Sequence, residues 1–361
     1  MQAYFLPIKV AFITFPFIAL YFTFPFAIYQ YKKHGYINKF RVLILYSFLL
    51  YLITAYYLVI LPLPKTRDIK SLQVPGTQYY NLVPFSFIRD ILKETKVVLT
   101  MPSTYKYLLT ERAFLQAAFN GILLTPLGIY LRYYFKKDLK RTLAITFLVS
   151  LFFEVTQITG LFGIYNAPYR LFDIDDLFLN TLGGYIGYLI SPVFTFFLPN
   201  TNEMDNNINL EKIRGTYFRR ILAYLIDMFV IGLIPNINES IILEVVVFFV
   251  YFILIVYFTN GKTIGKWLTN LRVKGQENKL TFKEVFIRYG ILYLGVFSGN
   301  KILSTVATLN QNTEVSYAII VINIIQFVIV LLILVHAVLC VIKKNRFFYE
   351  KISNTSIVIS K

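Results

Sequence analysis

Long apolar runs alternate with short charged segments along this chain. Nine of them approach or exceed the roughly 18 to 20 residues that span a hydrocarbon core: 10–31, 42–63, 113–131, 142–163, 175–198, 218–234, 241–258, 287–308 and 315–342. Asn300 and Lys301 interrupt the eighth. The pattern predicts an all-α polytopic membrane protein with about nine transmembrane helices. Residues 199–217, PNTNEMDNNINLEKIRGTY, are polar, Asn-rich and free of apolar periodicity, which marks a linker. It divides the chain into a five-span half, 1–198, and a four-span half, 218–361.

Composition agrees with the pattern. Of the 361 residues 57% are hydrophobic and only 15% charged, against roughly 25% charged in soluble domains; the mean hydropathy is +0.61. The net charge of +17 sits mainly between apolar runs, where membrane topology explains it and no nucleic-acid partner is needed. Basic residues cluster after spans one, three, seven and nine, and the loops at 164–174, 235–240 and 309–314 hold only Arg170. This bias places the N-terminus outside and the C-terminus in the cytoplasm. The loop at 64–112 runs against it, with eight Lys/Arg and four acids. The one cysteine, Cys340, excludes an intramolecular disulfide, and the two histidines, His34 and His336, are too far apart to suggest a metal site. No cofactor is expected. The first apolar run, with one preceding lysine and no small-residue cleavage site, reads as a retained span.

Charged residues inside the apolar runs are the candidate chemistry, because an ionised side chain facing lipid is costly. In span four Glu154 and Gln157 are three apart and share a helix face. Nine residues separate Glu154 from Gly163 at the span's end, about 13 Å of helix. In RLFDIDDLFLNTLGG, Asp173, Asp176 and Asn180 fall on one face at the start of span five. Asn120 lies inside span three, and Gly183, Gly184 and Gly187 allow close helix approach. Arg170 is the available counter-ion. Asp173 and Asp175 taken alone suit the positive end of a helix dipole. The whole set predicts a polar pocket open to the outside.

These residues resemble the VanZ-like family. The resemblance rests on the E-x-x-Q of Glu154 and Gln157, on the run from Arg170 to Gly187, on NLVPF at Asn81 to Phe85, and on Asn120 with Pro126, Leu127 and Gly128. It covers roughly residues 1–198. It implies a bacterial multi-pass membrane protein of a family named for an accessory role in teicoplanin resistance.

The second half opens with RGTYFRRILAYLIDMFV. Arg220 and Asp227 are seven apart, two turns on one face; this buries Asp227, with Arg219 or Arg220 as its expected partner. Arg219 itself reads as a side chain snorkelling to headgroups. NGKTIGKWLTNLRVKG lacks the first glycine of a P-loop, since Val256 stands there; it reads as a cationic interfacial loop with Trp267 near the headgroups. With YEKISNTSIVI, these segments resemble the RDD family over about 212–361. Arg220 and Asp227 match its first two named positions, and Glu350 takes the third, where the family has aspartate. The resemblance implies a membrane domain for which transport has been suggested.

Three functions fit these observations. One is a non-enzymatic envelope protein of the bacterial cell membrane, whose outer acidic pocket handles a cell-wall precursor, a lipid-linked group or a glycopeptide. Another is a secondary transporter using Glu154 and Asp227 as proton-carrying sites. The third is an intramembrane enzyme on a lipid-linked substrate, with Glu154 and Asp176 as an acid/base pair, although no nucleophile is evident.

Overall fold

The computed structural model describes residues 2–98, 100–201, 216–235, 241–277, 279–293, 317–343 and 345–360. The chain forms two compact units, Met1–Phe22 with Asn38–Asn207, and Thr23–Ile37 with Ile208–Lys361. It is a mostly helical membrane protein. Five described helical stretches are long and apolar enough to cross a bilayer: Phe5–His34, Lys39–Ile60, Arg112–Tyr133, Leu139–Ile158 and Ile174–Phe194. They fall on the first five predicted runs. Most of the predicted linker and of the eighth run lies outside the described residues, as do the loops at 236–240 and 309–314.

In the first unit, α1 (Gln2–His34, its last part belonging to the second unit) is followed by α2 (Lys39–Ile60). The Asn38 side chain caps α2 by accepting from the amides of Phe40 and Arg41. The 64–112 segment is structured. It holds β1 (Tyr80–Asn81) and α3 (Ser86–Glu94) before α4 (Arg112–Leu123) and α5 (Thr125–Tyr133). The α4–α5 break at Leu124 comes just before Pro126, whose ring cannot continue a helix interior. Next come α6 (Leu139–Ile158), β2 (Phe172–Asp173) and α7 (Ile174–Phe194).

Predicted span four ends early. Leu161 and Phe162 take left-handed backbone (φ 57° and 55°), so α6 stops at Ile158. Glu154 is therefore one turn from the helix end, about 6 Å along the axis, and not about 13 Å. α7 packs against α4, α5 and α6 through small residues. A Cβ added at Gly183 would overlap the Gly121 carbonyl, one at Gly187 the Thr125 carbonyl, and one at Gly184 the Thr146 side chain. Small residues at these contacts let the backbones approach. Ala55, Val59, Leu124, Leu127, Leu131 and Phe153 form the apolar core beside them.

The second unit contains α8 (Tyr217–Gly232) and α9 (Ile241–Phe248), continued by a π-helical stretch, Phe249–Leu254, and α10 (Ile255–Phe258). Then follow α11 (Ile264–Leu268), β3 (Leu271–Lys274), α12 (Phe282–Tyr289), α13 (Tyr317–Lys343), α14 (Phe348–Ile352) and β4 (Ser356–Ile359). The fold is thus not wholly helical. β1 and β2 pair in parallel, Asn81 opposite Asp173, while β3 and β4 pair antiparallel from Leu271–Ile359 to Lys274–Ser356.

Thr281 and Glu284 close a reciprocal capping box at the start of α12. Thr281→Ala is expected to cost about 1 kcal/mol and to speed hydrogen exchange in the first turn of α12. Unchanged exchange there would show that the cap contributes nothing.

Candidate functional site

The acids that open α7 divide into three roles. Asp173 caps the helix, its Oδ1 accepting from the Asp175 amide at 2.9 Å. The Asn81 side-chain amide reaches both Asp173 oxygens at 3.3 Å and donates to Ser86 Oγ at 2.7 Å. Burial lifts the Asp173 carboxyl above the usual range, with the charges of Asp175 and Asp90 adding, while bonds from the Asp175 amide and Asn81 oppose it. Asp175 is buried and accepts from the Phe85 amide at 2.6 Å, Ser86 Oγ at 2.7 Å and the Phe87 amide at 3.0 Å. Asp176 accepts from the Asn120 side chain.

Asp173, Asp176 and Asn120 line one side of a cavity of about 310 Å³. Its other walls come from α3 and the start of α4, including Asp90, Lys93, Arg112 and Gln116. Glu154, buried in α6, accepts from the Asp173 amide at 3.0 Å. Asn180 donates to Ser150 Oγ at 3.0 Å. Both residues brace the site without lining the cavity.

Two expectations about this cluster change. Gln157 donates to the Val59 carbonyl at 3.1 Å and Arg170 to the Leu61 carbonyl at 2.8 Å. Both tie down the end of α2, whose last carbonyls have no partner within the helix. Arg170 makes no ion pair with the acids among the described residues, although its charge lies near enough to act on Glu154 and Asp176; the cations that line the cavity are Lys93 and Arg112.

The second unit holds two buried charge networks. Asp227 Oδ1 accepts from Tyr251 Oη at 2.8 Å and the Gly265 amide at 2.7 Å. Its Oδ2 accepts from Thr263 Oγ1 at 2.7 Å and lies 3.8 Å from Lys266 Nζ. The spacing in α8 points to Arg219 or Arg220, but neither is its partner. The guanidinium of Arg219 is buried instead, giving hydrogen bonds to the carbonyls of Gly35, Thr269 and Asn270 and lying 4.4 Å from the Tyr31 ring centroid. Glu350, fully buried, pairs with Arg220 and with Arg288, each at 3.2 Å. Arg288 also donates to Thr355 Oγ1 at 2.6 Å, fastening the segment that leads into β4.

The expected interfacial loop at 260–275 is therefore a folded piece of this core. Gly261 sits at φ +99° with the Val273 carbonyl where a Cβ would go, and a Cβ at Gly265 would meet the Ala223 carbonyl. Lys266 is buried, while Trp267 remains exposed with Lys32 Nζ 3.5 Å from its ring centroid.

A family model described as VanZ/LLP1 matches residues 48–195, and one described as the RDD family matches 214–351. The chain joins a VanZ-like domain to an RDD domain. No curated protein and no solved structure matches it. In the VanZ-like domain, NLVPF leads into the segment that docks on Asp175: Asn81 bonds to Asp173 and Ser86, and the Phe85 ring stacks on Phe178. Phe85 holds φ at 62°, a conformation a bulky residue rarely adopts, and its amide is the donor to Asp175. In the sequence Asp175 reads as a dipole partner only, and Lys93, Arg112 and Gln116 do not stand out. Arg112, Gln116 and Asn120 repeat every four residues on α4, a spacing that puts them on one face. In the RDD domain Arg220 and Glu350 come together, and Asp227 stands apart with Lys266.

Proposed function

We propose that this chain is a multi-pass protein of the bacterial cell membrane whose VanZ-like domain binds an ammonium-bearing or hydrogen-bonding group at the cell surface. Its contribution is accessory to teicoplanin-type glycopeptide resistance. The reading takes nine spans, five before a 199–217 linker and four after it, with the N-terminus outside. Asn120, Asp173 and Asp176 contact the ligand, and Glu154 and Asn180 hold them in place. The RDD domain, with Arg220, Asp227 and Glu350 as internal braces, is a separate structural module.

The observation that carries this reading is the cavity beside Asp173 and Asp176. Neither carboxylate is ion-paired among the described residues; each is held only by hydrogen bonds, and acids at a membrane cavity with no counter-ion are functional-site candidates. Asp227 differs: three hydrogen bonds and Lys266 account for its burial, so a proton-carrying role is not needed to explain it. The test is teicoplanin susceptibility, with vancomycin alongside, in a sensitive Gram-positive host. The native chain is expected to raise the teicoplanin inhibitory concentration several-fold, and Asp176→Asn to abolish the gain at equal membrane levels. A native chain that leaves both drugs unaffected overturns the proposal.

A further inference from the structure

The cavity in the VanZ-like unit carries both signs of charge, in an ordered way. Asp173 and Asp176 are half-buried, whereas Lys93 and Arg112 are exposed. None of the four forms an ion pair among the described residues. Arg112 is displaced along α4 from the acids, and Lys93 lies at the end of α3. Arg112 opens the helix and Asn120, the hydrogen-bond donor to Asp176, lies eight residues further, about 12 Å along the axis. Gln116 stands midway on the same face and is uncharged. Two further acids of the lining, Asp90 and Glu94, are exposed and engaged elsewhere: Asp90 lies 3.9 Å from Arg89, and Glu94 Oε2 accepts from the Ala113 amide at 3.0 Å, at the start of α4.

A site for a simple cation would gain nothing from Lys93 and Arg112, since like charges at the entrance repel the ligand. A site for a simple anion would not place two acids at its inner end. Unpaired charges of opposite sign at the two ends of one cavity fit a ligand that brings the complement of both.

We infer that the cavity binds a zwitterion with well-separated charges: an ammonium held by Asp173 and Asp176, and a carboxylate or phosphate held by Arg112 and Lys93, as at the two ends of a short peptide. This rests on the reading that the cavity is the working site, and it names the ligand class. A free α-amino acid, whose charges are adjacent, is too short to engage both ends.

The test uses the purified full chain in nanodiscs and titrates ω-amino acids from glycine to 8-aminooctanoate by calorimetry. N-acetyl-8-aminooctanoate keeps only the acid, and the methyl amide of 8-aminooctanoate keeps only the amine. The long zwitterion is expected to bind at least tenfold more tightly than glycine or either blocked form. Arg112→Gln and Lys93→Gln, both exposed positions whose loss does not disturb the core, are expected to reduce it to the affinity of the amine-only form. Asp176→Asn is expected to reduce it to that of the acid-only form.

If the amine-only form binds as tightly as the zwitterion and ignores Arg112→Gln, this inference falls while the cation-binding reading stands. If the acid-only form is the tight binder, or if no probe binds, both fall.

Discussion

Replacing Glu350 with alanine is expected to destabilise the RDD domain by about 3–5 kcal/mol, the usual cost of stripping one partner from a buried ion pair. Two guanidiniums, Arg220 and Arg288, pair with this one carboxylate, each at 3.2 Å. Arg288 is nearly inaccessible to water, so its charge has no alternative solvation. Glu350→Gln keeps a hydrogen-bond acceptor and loses the charge, and its loss is expected to be smaller. Glu350→Asp keeps the charge but shortens the arm by a methylene, so it is expected to retain one bridge and fall between the two. The chain's single tryptophan, Trp267, lies in this domain, so its fluorescence follows RDD unfolding without a signal from the VanZ-like half. A Glu350→Ala protein with unchanged unfolding would mean that the arginines are neutralised by something other than this carboxylate. A triple apolar replacement of Arg220, Glu350 and Arg288 is expected to recover much of the stability, because well-packed apolar groups commonly match a buried charged triad.

The first half of the fold is legible because its signals are local. Apolar runs and helix-period spacing locate the five long helices, and the Gly183, Gly184 and Gly187 stripe foretells the close contacts on α7. Charges inside apolar runs mark Asp227 and Glu154 as buried. Partner choice is another matter, since it depends on contacts between distant positions. Asp227 looks toward Arg220 when only one helix is considered, yet Thr263, Gly265 and Lys266 reach it from a segment some 40 residues on. Arg219 reads as a snorkelling side chain until the carbonyls of Gly35 and Asn270 are brought beside it. Arg170 is the nearest cation to the acids in sequence, but the end of α2 takes its hydrogen bond, and the cations of the cavity arrive from α3 and α4. The helix end at Ile158 depends on left-handed backbone at Leu161 and Phe162, which neither residue type announces. Asp175 hides among three aspartates whose spacing alone does not say which one turns inward.

Asp175→Ala is the second substitution with a large expected effect, and it separates positioning from ligand contact. The lost carboxylate removes the acceptor for Phe85, Ser86 and Phe87 together. Hydrogen bonds to a charged group contribute about 1.5–3 kcal/mol each, but water can reach part of this segment once it loosens. A net loss of about 3 kcal/mol is therefore expected. At 1.4 kcal/mol per tenfold, this corresponds to roughly 100-fold faster hydrogen exchange at the start of α3. The left-handed backbone at Phe85 favours release, because these bonds, with the Phe85 ring stacked on Phe178, hold a bulky residue against its preferred conformations. α3 carries the Lys93 wall, so freeing its first turn also dissolves the cavity, and teicoplanin protection is expected to disappear with it. Asp176→Asn is expected to lose protection too, but with the exchange of α3 unchanged, since Asp176 bonds to Asn120 and not to the 85–87 segment. Equal exchange in the two variants would deny Asp175 its role as the anchor of this wall. Loss of order at α3 with protection retained would place the working site away from the cavity altogether.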